Sequence, residues 1–189
     1  MKKAVIALSL AAALGAAPTA LAQAWYFGAG AGSGNLDATG QDLTGLPNAQ
    51  LKDNATTYTA RLGYRFSRYG AFELGYYDLG KYEFSGGSGA ELVTGSAKAK
   101  SYGISIVGIA PIGPNFELYS RLGYEESEIK VNANLGSITT VNASTKDNGA
   151  TYAMGARWMF NPNFGIFAEW MRNDKIEVDS YLGGIDFRF

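Results

Sequence analysis

Along Tyr181-Leu-Gly-Gly-Ile-Asp-Phe-Arg-Phe189, aromatic and apolar residues return at every second position while Asp186 and Arg188 fall between them. Side chains of a β-strand alternate between its two faces. Tyr181, Gly183, Ile185, Phe187 and Phe189 therefore share one face, and Leu182, Gly184, Asp186 and Arg188 the other. An aromatic stripe opposite a charged one suits a strand with lipid on one side and a polar barrel interior on the other.

The same period-two pattern recurs in seven earlier segments, over residues 24–33, 56–66, 71–80, 99–110, 115–126, 149–160 and 163–173. In the second, Tyr58, Ala60, Leu62, Tyr64 and Phe66 lie opposite Thr57, Thr59, Arg61, Gly63 and Arg65. In the sixth, Tyr152, Met154, Ala156, Trp158 and Phe160 lie opposite Thr151, Gly155 and Arg157. Short turns are expected at 67–70, 111–115 and 161–163, and long polar connections at 34–55, 81–98 and 127–148, with a shorter one near 173–175. Alternation of short and long connections is a feature of bacterial outer-membrane barrels. The chain thus reads as all-β, an eight-stranded antiparallel up-and-down transmembrane β-barrel.

Volume decides which face points inward. An eight-stranded barrel is just wide enough for its interior side chains. The stripe of Trp, Phe, Tyr, Leu and Ile does not fit there, whereas the opposite face is mostly Gly, Ser, Thr and Ala with scattered charges. With aromatics outside, the exterior is so apolar that only lipid accommodates it; a soluble lipocalin-type barrel is the poorer fit. The aromatics also gather at both ends of the stripe, Trp25, Phe66, Phe72, Phe116, Phe160, Phe164 and Phe189 at one, Tyr76, Tyr102, Tyr124, Tyr152, Trp170 and Tyr181 at the other. The interior then holds Arg61, Arg65, Arg121, Arg157 and Arg188 with Glu73, Glu117, Glu169 and Asp186. Charges in a narrow lumen are tolerable when paired, so the set is expected to form a salt-bridge network plugging the barrel.

Residues 1–22 have the form of a cleaved secretory signal peptide: Lys2 and Lys3, an apolar run from Ala4 to Ala17, and Ala20-Leu-Ala22 before Gln23. Residues 23–189 are then one barrel domain. After Ala22 no run approaches the ~18 apolar residues of a membrane helix. Losing the two leader lysines takes the net charge from −1 to −3, the wrong sign for a nucleic-acid binder. The chain has no Cys and no His, which removes disulfides, thiol nucleophiles, the commonest general base and the commonest transition-metal ligand. No cofactor, metal or catalytic site is expected.

On its leader, eight alternating strands, short turns and terminal Tyr181…Phe189 strand, the mature chain resembles the OmpA-type transmembrane barrel superfamily of small bacterial outer-membrane proteins. The resemblance is to stand-alone barrels, without the periplasmic domain of full-length OmpA proteins. It implies residence in the outer membrane among outer-membrane lipid and lipopolysaccharide. It also implies that Tyr181, Ile185, Phe187 and Phe189 form the signal read by the outer-membrane assembly machinery. The leading functional reading is a non-enzymatic integral outer-membrane protein, displaying four extracellular loops for surface interaction above a plugged lumen. The alternative is a narrow channel for ions, small solutes or apolar molecules. A membrane-embedded hydrolase or acyltransferase is disfavoured by the missing His.

Overall fold

The computed structural model describes residues 24–36, 50–52, 54–88, 91–135 and 139–189. The leader boundary at residue 22 lies outside them. Among the described residues nine strands run in chain order: β1 (Ala24–Leu36), β2 (Gln50–Lys52), β3 (Asn54–Ser67), β4 (Gly70–Ser88), β5 (Glu91–Pro111), β6 (Phe116–Leu135), β7 (Thr139–Met159), β8 (Phe164–Asn173) and β9 (Val178–Arg188). All but β2 form a closed antiparallel meander in which β1 pairs with both β3 and β9. Backbone hydrogen bonds from Trp25 N–H to the Phe189 carbonyl (3.1 Å) and from Phe189 N–H to the Trp25 carbonyl (2.9 Å) fasten the seam. Short β2 pairs with β4 from Gln50↔Ser85 to Lys52↔Glu83, above the stretch of β4 that β3 covers.

The expected alternation governs the wall. Ile104 is 64% exposed and Tyr124 62%, while Arg61 and Arg157 are each 1% exposed. The short turns fall where expected and are made by side chains that mimic backbone. Asn161 Oδ1 accepts from the N–H groups of Asn163 (2.9 Å) and Phe164 (2.8 Å), and Ser67 Oγ from that of Tyr69 (3.1 Å).

The long connections differ from expectation. Residues 81–88 and 91–98 continue β4 and β5, and residues 127–135 and 139–148 continue β6 and β7. Two tall ladders therefore replace two of the polar loops. In the first, a β-bulge between Asp78 and Gly80, with Gly80 at φ 95°, resets the phase. Before it Tyr77 points inward; after it Tyr82 and Phe84 do, so strict period-two reading stops there. In the second, the outward face of β6 turns from apolar to polar, with Glu128, Lys130 and Asn132 in place of Leu122 and Tyr124. Of the 34–55 connection, residues 37–49 and 53 lie outside the described residues.

Candidate functional site: the barrel lumen

Each charged residue expected inside is brought to the lumen by strand parity, and together they form one connected chain of ion pairs. Toward the short-turn end Glu117 on β6 takes Arg65 from β3 (3.0 Å), Arg157 from β7 (3.2 Å) and Arg188 from β9 (2.7 Å). Arg157 also pairs with Asp186 through its Nε. Asp186 lies 3.9 Å from Arg61, which pairs with Glu169 at 2.8 Å. Glu169 also takes Arg121 (2.9 Å), and Arg121 takes Glu73 (2.8 Å). All are buried except Arg188, which is half-buried at the barrel mouth.

Aromatic residues knit the network, and charge-based reading of the sequence overlooked them. Tyr26 donates to Glu73 (2.8 Å), and Arg121 donates to the Tyr77 hydroxyl. Arg157 lies over the rings of Tyr26 (5.2 Å) and Tyr119 (5.0 Å), and Arg61 over Phe167 (4.0 Å). A guanidinium is planar and weakly hydrated, so an aromatic face beside it replaces some of its lost water. Glycine makes the space: a Cβ on Gly28 would sit 2.5 Å from Asp186 Oδ1, and one on Gly63 would meet the Tyr26 ring.

Above this layer is a second polar one, also overlooked. Glu125 accepts from Ser101 (2.5 Å) and Thr151 (2.9 Å), Ser127 donates to Ser101 (3.3 Å), and Asn173 donates to Ser127 (3.2 Å). Parity from Arg121 and Gly123 already places Glu125 inward. With it, the five lumen arginines face five carboxylates. Tyr77, Leu79, Ala99, Ala153, Met171, Ile176 and Val178 form an apolar cluster at that end of the interior.

The C-terminal residues lie on the outer wall. Tyr181, Ile185 and Phe189 are exposed, and Phe187 sits between Phe27 on β1 and Phe164 on β8. Its ring packs 4.8 Å from that of Phe164 and 5.8 Å from that of Phe189.

The sequence profile of the outer membrane protein beta-barrel domain matches residues 4–189. The chain belongs to this outer-membrane β-barrel family. This outer-membrane barrel is 30% identical over 174 residues to outer membrane protein A of Serratia marcescens, covering 87% of this chain and 47% of the relative. It is 26% identical to outer membrane protein A of Escherichia fergusonii, covering 100% of this chain and 56% of the relative. The chain thus spans about half the length of these curated relatives. Among solved structures it is similar to outer membrane protein OprG of Pseudomonas aeruginosa (TM-score 0.63, 14% identity, 89% of this chain and 96% of that one). It is also similar to Ail, the attachment invasion locus protein of Yersinia pestis (TM-score 0.55, 17% identity, 89% and 98%). The outer-membrane barrel resides in the bacterial outer membrane.

Proposed function

We propose that this is a non-enzymatic surface protein whose lumen is sealed by its ion-pair network and whose function is carried by the projecting β-ladders. The observation that carries the reading is the unbroken chain of pairs from Arg188 to Glu73, in which each guanidinium reaches a carboxylate. Its tyrosines and its near-cancelling charge support a plug over a conduction path. The β4–β5 ladder runs 11 residues beyond Tyr102 to Glu91, about 35 Å along the strand at 3.3 Å per residue, which displays backbone and side chains well clear of the lipid. The similar Yersinia barrel is named for attachment and invasion, a kind of role such ladders suit. Outer-membrane lipid and lipopolysaccharide are the proposed surroundings of the aromatic wall. The proposed signal for the assembly machinery is Tyr181, Ile185, Phe187 and Phe189.

Planar-bilayer conductance tests the plug, with wild type beside Arg121→Ala and Glu117→Ala. A silent wild type and a conducting variant are expected. Stable, ion-selective conductance by wild type would make the same charges the lining of a narrow channel and overturn the plug.

A further inference from the structure

The three short turns, residues 67–70, 111–115 and 161–163, hold no Asp or Glu, while Arg68 stands on the first of them. Arg65, Arg157 and Arg188 lie in the lumen just inside that end. Against these four arginines stand two carboxylates: Glu117, which takes Arg65, Arg157 and Arg188, and Asp186, which Arg157 also reaches. The deeper half of the network balances itself, Arg61 and Arg121 against Glu169 and Glu73. Glu125 lies at the far end of the lumen among hydroxyl groups, and the main-chain oxygen of Phe189 is engaged by Trp25 N–H at the seam. The short-turn mouth is therefore left with a surplus of two positive charges.

Two of the arginines reach water there. Arg68 is exposed, and the Arg188 side chain keeps 17% of its surface accessible, with Glu117 beside it at 11%. β3 and β9 flank β1, so Arg65 and Arg188 start two strand spacings apart, roughly 10 Å, and still converge on one carboxylate. Arg65 Nη2 also donates to the Arg68 carbonyl (3.1 Å), which holds the turn against the lip of the barrel. Donor capacity remains. Among the described residues the Arg188 guanidinium uses only Nη2, on Glu117 (2.7 Å). The Arg68 guanidinium has no ion pair among them and lies 5.7 Å over the Tyr69 ring. Surplus charge in a partly desolvated mouth is costly, and a guanidinium fork matches the oxygens of phosphate two at a time.

From the surplus charge and the free donors together, we propose that the short-turn mouth binds a doubly charged phosphate group, as inorganic phosphate or a small phosphomonoester. Arg188 and Arg68 would donate to it directly. Arg65 would hold the Arg68 turn and Glu117 in place, and Arg157 would add its field from behind. A dianion cancels the surplus, whereas a monoanion leaves half of it. Glu117 steadies the arginines but sets an acceptor beside them, so the ligand would lie on the solvent side of its carboxylate. Short turns of outer-membrane barrels face the periplasm, and that compartment would supply the ligand. The site needs only the mouth as it stands, whether or not the lumen conducts.

Calorimetric titration of the full refolded chain in non-ionic detergent with inorganic phosphate, glycerol phosphate and acetate, at one ionic strength, tests this. Wild type should bind phosphate or its ester at least about tenfold more tightly than acetate. Binding of the ester should tighten as pH rises through its second ionisation, near about 6. Arg68→Gln/Arg188→Gln should lose the preference over acetate, and Arg68→Gln alone should lose part of it. Lys98→Gln/Lys175→Gln, at the other end of the barrel, should bind as wild type. Heat-shifted gel mobility confirms that each variant is folded. Tighter binding of inorganic phosphate names the free ion as ligand, tighter binding of glycerol phosphate names a phosphomonoester, and equal binding shows that the phosphate group alone is read; all three uphold the site. Phosphate ligands no tighter than acetate, an unaffected double arginine variant, or an equal loss in the lysine variant would each overturn it.

Discussion

Glu169 is the acid on which the lumen network turns, and its replacement by Gln gives a sharp test of the packing argument. Its two oxygens hold Arg61 at 2.8 Å and Arg121 at 2.9 Å, with all three side chains no more than 1% exposed. Glutamine preserves the volume and one acceptor, but sets an amide N–H₂ against a guanidinium where an anion had been. The two arginines are not equally affected. Arg121 keeps an ion pair with Glu73 at 2.8 Å, whereas the nearest carboxylate left to Arg61 is Asp186 at 3.9 Å, with the face of Phe167 beside it. The variant therefore strands chiefly one buried cation. Removing one partner of a buried pair costs about 3–5 kcal/mol, and the retained acceptor and ring place Glu169→Gln near 3 kcal/mol. With a denaturant slope of about 2 kcal/mol per molar, the urea midpoint in phospholipid vesicles should fall by about 1.5 M, read by tryptophan fluorescence. Removing both charges is a different perturbation. Arg61→Met/Glu169→Met should lie closer to wild type than Glu169→Gln, because apolar side chains strand no charge there. The reasoning fails if Glu169→Gln stays within about 0.5 kcal/mol of wild type, or if the double variant is no more stable than the single one.

Gly28→Val places a Cβ 2.5 Å from Asp186 Oδ1 and 3.3 Å from Arg61 Nε, so it should lower stability by about 1–3 kcal/mol in the same urea assay. Ile104→Arg, on the lipid face at a residue 64% exposed, should cost about 2–4 kcal/mol in vesicles while Ile104→Leu costs less than about 1.5. Excising residues 131–143 and joining the register partners Lys130 and Ser144 through Asn-Gly should leave refolding yield and urea midpoint nearly unchanged, because the removed ladder stands above the membrane. Deleting Phe189 should slow assembly in cells, measured by surface protease accessibility over time, more than it slows spontaneous refolding into vesicles.

Where lipid fixes the phase of a strand, its position was legible from the sequence. Leu62, Leu74, Ile104 and Ile185 must face hydrocarbon, so parity sent Arg61, Glu73, Ser105 and Asp186 inward with no help from tertiary contacts. Where that constraint ends, legibility ended with it. Beyond Glu126 the outward face of β6 turns polar, and Ser127, Glu128, Lys130 and Asn132 read as loop although they pair with β5 and β7 to Leu135. At Gly80 the loss was geometric: one extra residue inverted the alternation and hid the strand beyond it. Inside the lumen, sorting by charge found the ion pairs but passed over the tyrosines, whose parity was equally plain. A barrel this narrow must fill the space between its long side chains as well as neutralise them. Tyr26, Tyr77 and Tyr119 fill that space with rings set beside guanidinium groups, and two of them add a hydroxyl to the network. Lumen charge and lumen volume are thus met by one set of residues, and a substitution that corrects one while ignoring the other, such as Tyr77→Glu, should destabilise the barrel despite adding a carboxylate beside Arg121.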